Sequence, residues 1–301
     1  DEDLEKERAE YVKSLPNSLI YKDVLILGKE EINGPIFNKF DSQDIFCPRK
    51  DDVWIATYPK SGTTWMQAII SLIYHDGNVD QVKGRQLKKL KSLHEADSKR
   101  ARLISTHLPF QLFPLQVMNA FKSGQNKVGK LIYVVRNPAD TAVSYYHFHK
   151  MAKHLGNYQK SFSSFHTLFL NGHLAFGDWF AHVKSFWELS LANPESVLFV
   201  TFEDLIVDLN GMIRLIAKFV GKEMTDVEIE NTVRYCSFDQ MKDNQDVNKM
   251  NMGQDGSYDL TKSRFMRKGQ IGDWINHFSK EDNEKMSKWY EEKMKGISLK
   301  L

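Results

Sequence analysis

The stretch VWIATYPKSGTTW, residues 53–65, joins an apolar, β-rich run to a turn with proline and glycine and then to the start of an amphipathic helical pattern. In such a strand–loop–helix unit, the backbone amides at the helix start face one point, together with the Lys60 ammonium and two loop hydroxyls. Gly62 gives the loop the backbone freedom that a tight turn requires. The stretch predicts an anion-binding loop, although an ordinary strand–turn–helix with a polar turn shows a similar pattern.

The loop differs from the Walker A motif of nucleotide kinases. The pattern GxxxxGK[ST] is absent, because Lys60 precedes the loop glycine Gly62. This order disfavours kinase chemistry.

Strand-like runs alternate with helical patterns along the chain. The runs are VWIATY (53–58), RLISTH (102–107), KLIYVV (130–135) and SVLFVT (196–201), and the predicted helices span about 63–75, 138–152, 177–191, 203–220, 225–236 and 280–295, with a loop at 241–266. Strands separated by helices form parallel sheets that are covered on both faces. We therefore predict an α/β fold, a parallel β-sheet flanked by helices. Because no linker or internal repeat marks a boundary, residues 1–301 are expected to form a single domain.

Composition excludes several classes of partner. Lys and Arg number 41 and Asp and Glu 39, so the formal net charge is +2, without the basic excess of a nucleic-acid binder. No apolar stretch approaches the ~18 residues of a membrane span, so we expect no membrane partner. The start, DEDLEKERAE, is acidic and has no apolar core, which is atypical of a secretory signal. The expected location is cytoplasmic.

The residues that often bind metals do not form a ligand pattern here. Cys47 and Cys236 form no CxxC pair and predict neither a disulfide framework nor a zinc site. His147 and His149, two residues apart, do not share a helix face, and no acidic residue completes a set with His154. We expect no metal.

The predicted strands end in residues that can handle anions and protons. The carboxyl ends of parallel strands meet at one edge of the sheet, where such folds bind ligands. His107 closes RLISTH, and an imidazole there can take a proton near neutral pH. Arg136 closes KLIYVV and Ser144 follows two helical turns later, so both can reach one phosphate. Arg136 before Asn-Pro is also an ordinary strand end ahead of a helix that begins with proline.

Four motifs, in this order, resemble those of the cytosolic sulfotransferases: TYPKSGTTW, STHLPF, RNPADTAVSYYHF and RKGQIGDW. These enzymes move a sulfuryl group from 3′-phosphoadenosine 5′-phosphosulfate (PAPS) to a hydroxyl or amine and release 3′-phosphoadenosine 5′-phosphate (PAP). The resemblance covers nearly the whole chain and implies a P-loop-like nucleotide-binding architecture. It implies an in-line attack with His107 as general base, Lys60 at the bridging oxygen of the leaving phosphate, and no metal. The acceptor would be a small, largely apolar phenol, alcohol, steroid or amine.

The resemblance also assigns the nucleotide site and, more loosely, the acceptor pocket. The residues assigned to PAPS are Lys60, Ser61, Gly62, Thr63, Thr64, Trp65, Arg136, Ser144, Phe202, Ser237, Phe238, Met241, Phe265, Met266, Arg267, Lys268 and Gly269. The candidates for the wall of the acceptor pocket are aromatic: Tyr21, Phe110, Tyr145 and Phe148.

The chain departs from the common family pattern at three places. Ser105 stands where many members have lysine, and Phe202 replaces a tyrosine whose hydroxyl could bond adenine. Of the family's dimerisation pattern KxxxTVxxxE, which aligns with residues 275–284, only Glu284 survives, and Ile275 and Lys280 replace the lysine and the valine. We predict a monomer, or a dimer that uses another surface.

Three other interpretations stay open. The chain could bind PAP or PAPS without turnover, or it could be a nucleotide kinase-like phosphotransferase. It could also use transient sulfation to drive dehydration of its substrate. The residues do not identify the acceptor, because pocket specificity depends on the shape of loops.

Overall fold

The strands of the described chain form two sheets. The computed structural model describes residues 2–16, 18–27, 48–82, 101–123, 128–156, 158–245, 247–248 and 256–301. Near the amino end, β1 (Ser18–Tyr21) and β2 (Val24–Leu27) form an antiparallel hairpin. The larger sheet is parallel, in the order β4-β3-β5-β6, and consists of β3 (Val53–Thr57), β4 (Leu103–Thr106), β5 (Lys130–Val135) and β6 (Val197–Thr201). The four predicted strands and their parallel arrangement are confirmed.

Helices connect the strands and cover both faces of this sheet. They are α1 (Glu2–Ser14), α2 (Thr63–Ile73), α3 (Val79–Val82), α4 (Leu115–Lys122), α5 (Pro138–Met151), α6 (Phe162–Leu170), α7 (Trp179–Ala192), α8 (Phe202–Val207), α9 (Leu209–Phe219), α10 (Asp226–Cys236), α11 (Phe238–Asp243) and α12 (Lys280–Met294). Short 3₁₀ turns occupy Phe110–Leu112, Lys153–Leu155 and Asp273–Asn276. None of the helices in the described ranges is long and apolar enough to cross a membrane.

Two of the predicted helices differ from the structure. The predicted helix 203–220 is two helices, because the Asp208 carboxylate accepts a hydrogen bond from the Gly211 amide at 2.8 Å and begins a new helix there. The helix predicted from 177 begins at Trp179, since Asp178 caps it and Gly177 has a φ of 82°. Helix α11 extends into the predicted loop 241–266, of which 246 and 249–255 lie outside the described residues.

The large sheet separates two apolar cores. Alternate residues of β3 and β5, such as Trp54 and Tyr133, pack towards α5, α6 and α7. The residues between them, such as Ile55 and Ile132, pack towards α2, α9 and α10. Both central strands are almost completely buried, which is why they appear in the sequence as continuous apolar runs. All four strands end at the same edge of the sheet.

Candidate active site

The loop between β3 and α2 forms an anion cradle at this edge. Gly62 precedes α2 with a φ of 115° and provides no side-chain cap, so the first amides of the helix are left for a ligand. Lys60 has a φ of 70°, a strained value for a residue other than glycine. The Ser61 hydroxyl is buried and has no hydrogen-bond partner among the described residues. These features fit a bound phosphate.

The ring of Phe202 brings three of the predicted nucleotide residues together. A Cβ at Gly62 would lie 3.2 Å from the Phe202 ring, so glycine permits this close approach. The Trp65 ring lies 5.3 Å away, centroid to centroid, and the Arg136 guanidinium lies 4.4 Å from the Phe202 centroid. The ends of β3, β5 and β6 therefore meet around one aromatic side chain.

Lys60 lies against two neighbouring aromatic rings. Its Nζ is 4.5 Å from the centroid of Phe148 and 4.2 Å from that of Phe265. Phe148 was assigned to the acceptor pocket and Phe265 to the nucleotide, and the structure brings both to the same ammonium. Both rings attract the cation electrostatically, so they restrict where the ammonium can go.

His107 lies one residue beyond β4 and contacts the end of β3. Its Nδ1 is 2.9 Å from the carbonyl oxygen of Thr57 and 3.1 Å from the Thr57 hydroxyl. Because a carbonyl only accepts, Nδ1 carries the proton and donates it, and the lone pair of the neutral ring is on Nε2. The Thr57 hydroxyl is also 2.6 Å from that of Thr63 in the cradle. One threonine therefore links the imidazole to the anion loop.

Arg136 is 8% exposed at the end of β5. Its Nη2 donates to the Gln270 carbonyl at 3.1 Å, and its Nε is buried without a partner among the described residues. Burial lowers the pKa of Arg136, whereas the nearby carboxylates of Asp140 and Glu203 raise it. The guanidinium stays charged. Ser144 lies on α5, partly exposed, two turns beyond the cap of that helix.

Asp140 attaches the segment that follows Arg267–Gly269 to helix α5. Its carboxylate is buried and accepts hydrogen bonds from the amides of Gly272 at 2.7 Å and Trp274 at 3.1 Å. These contacts join residues more than 130 positions apart in sequence.

Arg267 and Lys268 converge on the buried carboxylate of Asp273. Arg267 pairs with Asp273 Oδ2, and Lys268 Nζ is 2.5 Å from Oδ1. Burial alone raises the pKa of Asp273, but the hydrogen bonds from Lys268 and Arg267 outweigh it and hold the pKa well below its usual range. Asp273 therefore stays charged and gathers both cations at the loop.

The remaining nucleotide candidates lie on both sides of α11. The backbone of Gly269 packs against Phe238, since a Cβ there would lie 2.1 Å from the ring. Trp65 donates its indole N–H to the Cys236 carbonyl at 2.8 Å, and Ser237 caps α11. The side chain of Met241 is buried in the apolar core beside α2, and Met266 packs partly buried against that core.

Two of the acceptor-pocket candidates are buried in the apolar core. Tyr145 is 1% exposed and packs edge-on against Tyr58. Phe110 is 6% exposed and packs against Phe113 and Phe186. Tyr21, on β1, is partly buried.

Phe176 was missed by the sequence analysis. Its ring centroid lies 5.5 Å from that of His107, and its φ of 71° is unusual for an aromatic residue. Its amide donates to the Leu25 carbonyl of the hairpin at 2.7 Å, which holds the turn in place. Nothing in the local pattern singles Phe176 out, because its proximity to His107 depends on tertiary contacts.

The fold and the cradle define a class of nucleotide-dependent transferase, and comparisons with known proteins specify it. Residues 50–298 match the sulfotransferase domain, so the chain belongs to the sulfotransferase family. Bovine sulfotransferase 1E1 is 36% identical over 286 residues, which cover 89% of this chain and 92% of that protein. The chain is accordingly a PAPS-dependent sulfotransferase.

Solved structures support the same conclusion. Mouse sulfotransferase SULT7A1 complexed with PAP is 27% identical, with a TM-score of 0.73 and coverage of 94% of this chain and 95% of that one. Retinol dehydratase in complex with retinol and PAP has a TM-score of 0.85 at 24% identity and covers 100% of this chain and 97% of that one, which shows a shared fold. No group of three or more His, Cys, Asp or Glu that could hold a metal occurs in the part of the chain that is described.

Proposed function

We propose that this protein transfers the sulfuryl group of PAPS to a hydroxyl or amine of a small, largely apolar acceptor and releases PAP. The observation that carries the proposal is that Thr57 contacts both the His107 ring and the cradle hydroxyl of Thr63. A proton acceptor and an anion-binding loop are thereby held side by side. This is the arrangement that in-line transfer between an acceptor and a bound phosphosulfate requires.

His107 would act as the general base. The acceptor oxygen attacks sulfur while its proton moves to His107 Nε2, the nitrogen opposite the one that donates to Thr57. As the new O–S bond forms, the bond between sulfur and the bridging oxygen of the 5′-phosphate breaks. The electron pair of the broken bond stays on the phosphate.

Lys60 and the cradle would stabilise that developing charge. By analogy with phosphoryl transfer, the transition state is loose, so positioning and fixed positive charge contribute most of the rate enhancement. The Lys60 ammonium, in contact with the rings of Phe148 and Phe265, would face the bridging oxygen. The amides and hydroxyls of residues 61–64 would hold the 5′-phosphate.

The 3′-phosphate would bind between Arg136, Ser144 and the 267–269 loop. Arg136 has an unused buried Nε, and Asp273 holds Arg267 and Lys268 together at the same edge. A phosphate at this place would share these cations with Asp273. The second phosphate is what separates PAPS from ATP.

The acceptor would lie against Phe176 and Phe148, with Tyr21 as a further candidate. Phe176 contacts the His107 ring and Phe148 contacts Lys60, so a small apolar acceptor between them would reach both reacting groups. Phenols, alcohols, steroids and amines all fit this description. We also propose, from the family resemblance, that the protein works in the cytoplasm, which fractionation of cells that express it can test.

A transfer assay with ³⁵S-labelled PAPS tests the proposal. The purified protein is incubated with a phenol, an aliphatic alcohol, a steroid and an amine, with and without EDTA, and labelled product and PAP are quantified. We expect labelled acceptor and PAP in equal amounts, with no effect of EDTA. PAP binding without transfer to any acceptor would favour a non-catalytic binder, and magnesium-dependent ATP turnover would favour a kinase. An alkene with free sulfate would indicate dehydration.

A further inference from the structure

The position of His107 raises the question of what holds its backbone. β4 is an edge strand of the large sheet, and its last ladder pair joins Thr106 to Ala56. His107 follows that pair, so the sheet no longer fixes its peptide group. A general base must nevertheless be held within a fraction of an ångström of its productive position. Other contacts must supply this constraint.

His182 of helix α7 supplies one of them. Its Nε2 lies 3.0 Å from the carbonyl oxygen of His107, and its Nδ1 lies 2.8 Å from the hydroxyl of Tyr133 on β5. Because the carbonyl only accepts, His182 Nε2 carries the proton, and Nδ1 then accepts from the Tyr133 O–H. Tyr133 therefore donates to His182, and His182 donates to the carbonyl of His107.

The surroundings of His182 keep this direction fixed. The side chain is 1% exposed and lies against the rings of Tyr58, Tyr133 and Phe186. Burial lowers its pKa to about 3, so the ring is neutral and has a single N–H to donate. If Nε2 lost this proton, the Tyr133 hydroxyl and the His107 carbonyl could not both keep their partners.

Three hydrogen bonds help to fix the pose of His107. Its ring donates to the Thr57 carbonyl, its own carbonyl accepts from His182, and the next amide, of Leu108, donates to the Thr106 hydroxyl at 3.0 Å. The contact to Thr57 acts on the ring, whereas the other two act on the backbone. Of the two backbone contacts, the one from His182 comes from a distant element of the fold.

We propose that His182 is a positioning residue that fixes the backbone of His107, and with it the direction in which His107 Nε2 points. The inference rests on the proposed function, in which His107 is the general base. His182 itself would touch neither donor nor acceptor. Its contribution would appear in turnover, with PAP affinity unchanged.

Two substitutions of His182 test the roles of its two ring nitrogens separately. His182→Gln can place an amide N–H near the position of Nε2 and keep the bond to the His107 carbonyl. His182→Asn reaches only the position of Nδ1, so it can still accept from Tyr133 but leaves that carbonyl without its donor. We expect kcat to fall about 10- to 100-fold in His182→Asn, with PAP affinity and the acceptor KM nearly unchanged. His182→Gln should retain most of the wild-type kcat.

Both His182 variants are then made in a His107→Ala background, which lacks the imidazole that His182 is proposed to position. His182→Asn should cause no further loss of the residual transfer rate there, because the two residues act as one unit. Melting temperatures and PAP titrations of every variant report damage to the fold. Equal losses in both backgrounds, or equal kcat for His182→Asn and the wild type, would overturn the inference. Full activity of His107→Ala would instead refute the general-base role on which the inference rests.

Discussion

At the scale of single residues, the orientation of His107 carries most of the mechanism. Nδ1 is committed to Thr57, so proton transfer can only use Nε2. If either ring nitrogen could make this contact, the nitrogen that accepts the proton would not be determined. The contact supports the proposed role of a base for a strand-terminal histidine, a residue that is otherwise common as a structural one.

His107→Ala should therefore lower kcat by at least ~100-fold, the usual effect of losing a general base. PAP affinity should stay nearly unchanged, since no cradle group is removed. Transfer rates with a phenol acceptor and PAP titration measure the two effects. His75→Ala, beyond the far end of α2, provides the control. Near-full activity of His107→Ala would remove His107 from the mechanism.

At the residue scale, sequence predicts proximity where a motif is contiguous. Lys60, Gly62 and Trp65 lie within 13 residues that form one strand–loop–helix unit, so their proximity follows from local structure. Phe176 and His182 approach His107 only through packing of the hairpin and α7. The aromatic pocket candidates Tyr145 and Phe110 are buried in the core, and sequence alone does not distinguish a core aromatic from one that lines a pocket.

At the scale of elements, strands were easier to predict than helix boundaries. β3 and β5 are buried on both faces, so they appear as uninterrupted apolar runs. The break between α8 and α9 depends on one side-chain cap at Asp208, within a pattern that stays apolar and amphipathic throughout. The docking of the 267–274 segment on α5 depends on Asp140, a contact that no local pattern reveals.

This docking gives a prediction for Asp140→Asn. The amide replaces one acceptor by an N–H group that faces a backbone N–H, at a cost of about 1–3 kcal/mol. The loop that we propose for the 3′-phosphate should loosen, and the preference for PAP over adenosine 5′-phosphate should fall about tenfold. Calorimetric titration with both nucleotides measures this ratio.

Asp204→Asn, in the exposed first turn of α8, is the matched control for that experiment. The preference for PAP should be unchanged in this variant. If Asp140→Asn weakened the binding of both nucleotides equally, the segment would have no particular role at the 3′-phosphate. Arg136→Ala should lower the same preference, because it removes a cation assigned to that phosphate.

At the scale of the whole molecule, buried histidines link stability to pH. Burial lowers the pKa of His149 and of His182 to about 3, from 6.5. Both groups are neutral in the folded protein above this value, whereas the unfolded chain binds protons below pH 6.5. Their contribution to stability is therefore complete above pH 6.5 and is lost progressively as the pH falls towards 3.

Each of these histidines should reduce the free energy of unfolding by about 1.4 kcal/mol per pH unit across this range. Urea unfolding at several values between pH 7 and pH 5 gives the slope. His149→Asn, which does not titrate and can keep the donor to the Tyr145 carbonyl, should reduce the slope by one proton. A slope identical to that of the wild type would contradict the assignment. We also propose that residues 1–301 form one domain, for which these curves should show a single transition.

The oligomeric state is the last whole-molecule property that the structure bears on. In the segment that aligns with the family's dimerisation pattern, Lys280 Nζ lies 3.9 Å from the Glu284 carboxylate of its own helix, and the Lys280 side chain is 93% exposed. Phe278 packs against Phe162 and His166 within the chain. The one surviving family residue, Glu284, therefore has an internal partner, and a charge stands where the valine of the pattern would pack.

We accordingly predict a monomer, or a dimer that uses another surface. Each change occurs twice in a two-fold dimer. The favourable free energy of a small interface only slightly exceeds the cost of association, which is at least ~4 kcal/mol. Light scattering on a size-exclusion column at low micromolar protein measures the mass. Restoring the pattern with Ile275→Lys, Ser279→Thr and Lys280→Val should promote a dimer, because a threonine hydroxyl can cap α12 as that of Ser279 does. A wild-type dimer that dissociates on Glu284→Ala would contradict the prediction. This variant is more informative than a substitution of Phe278, because loss of the Phe278 ring would disturb the core.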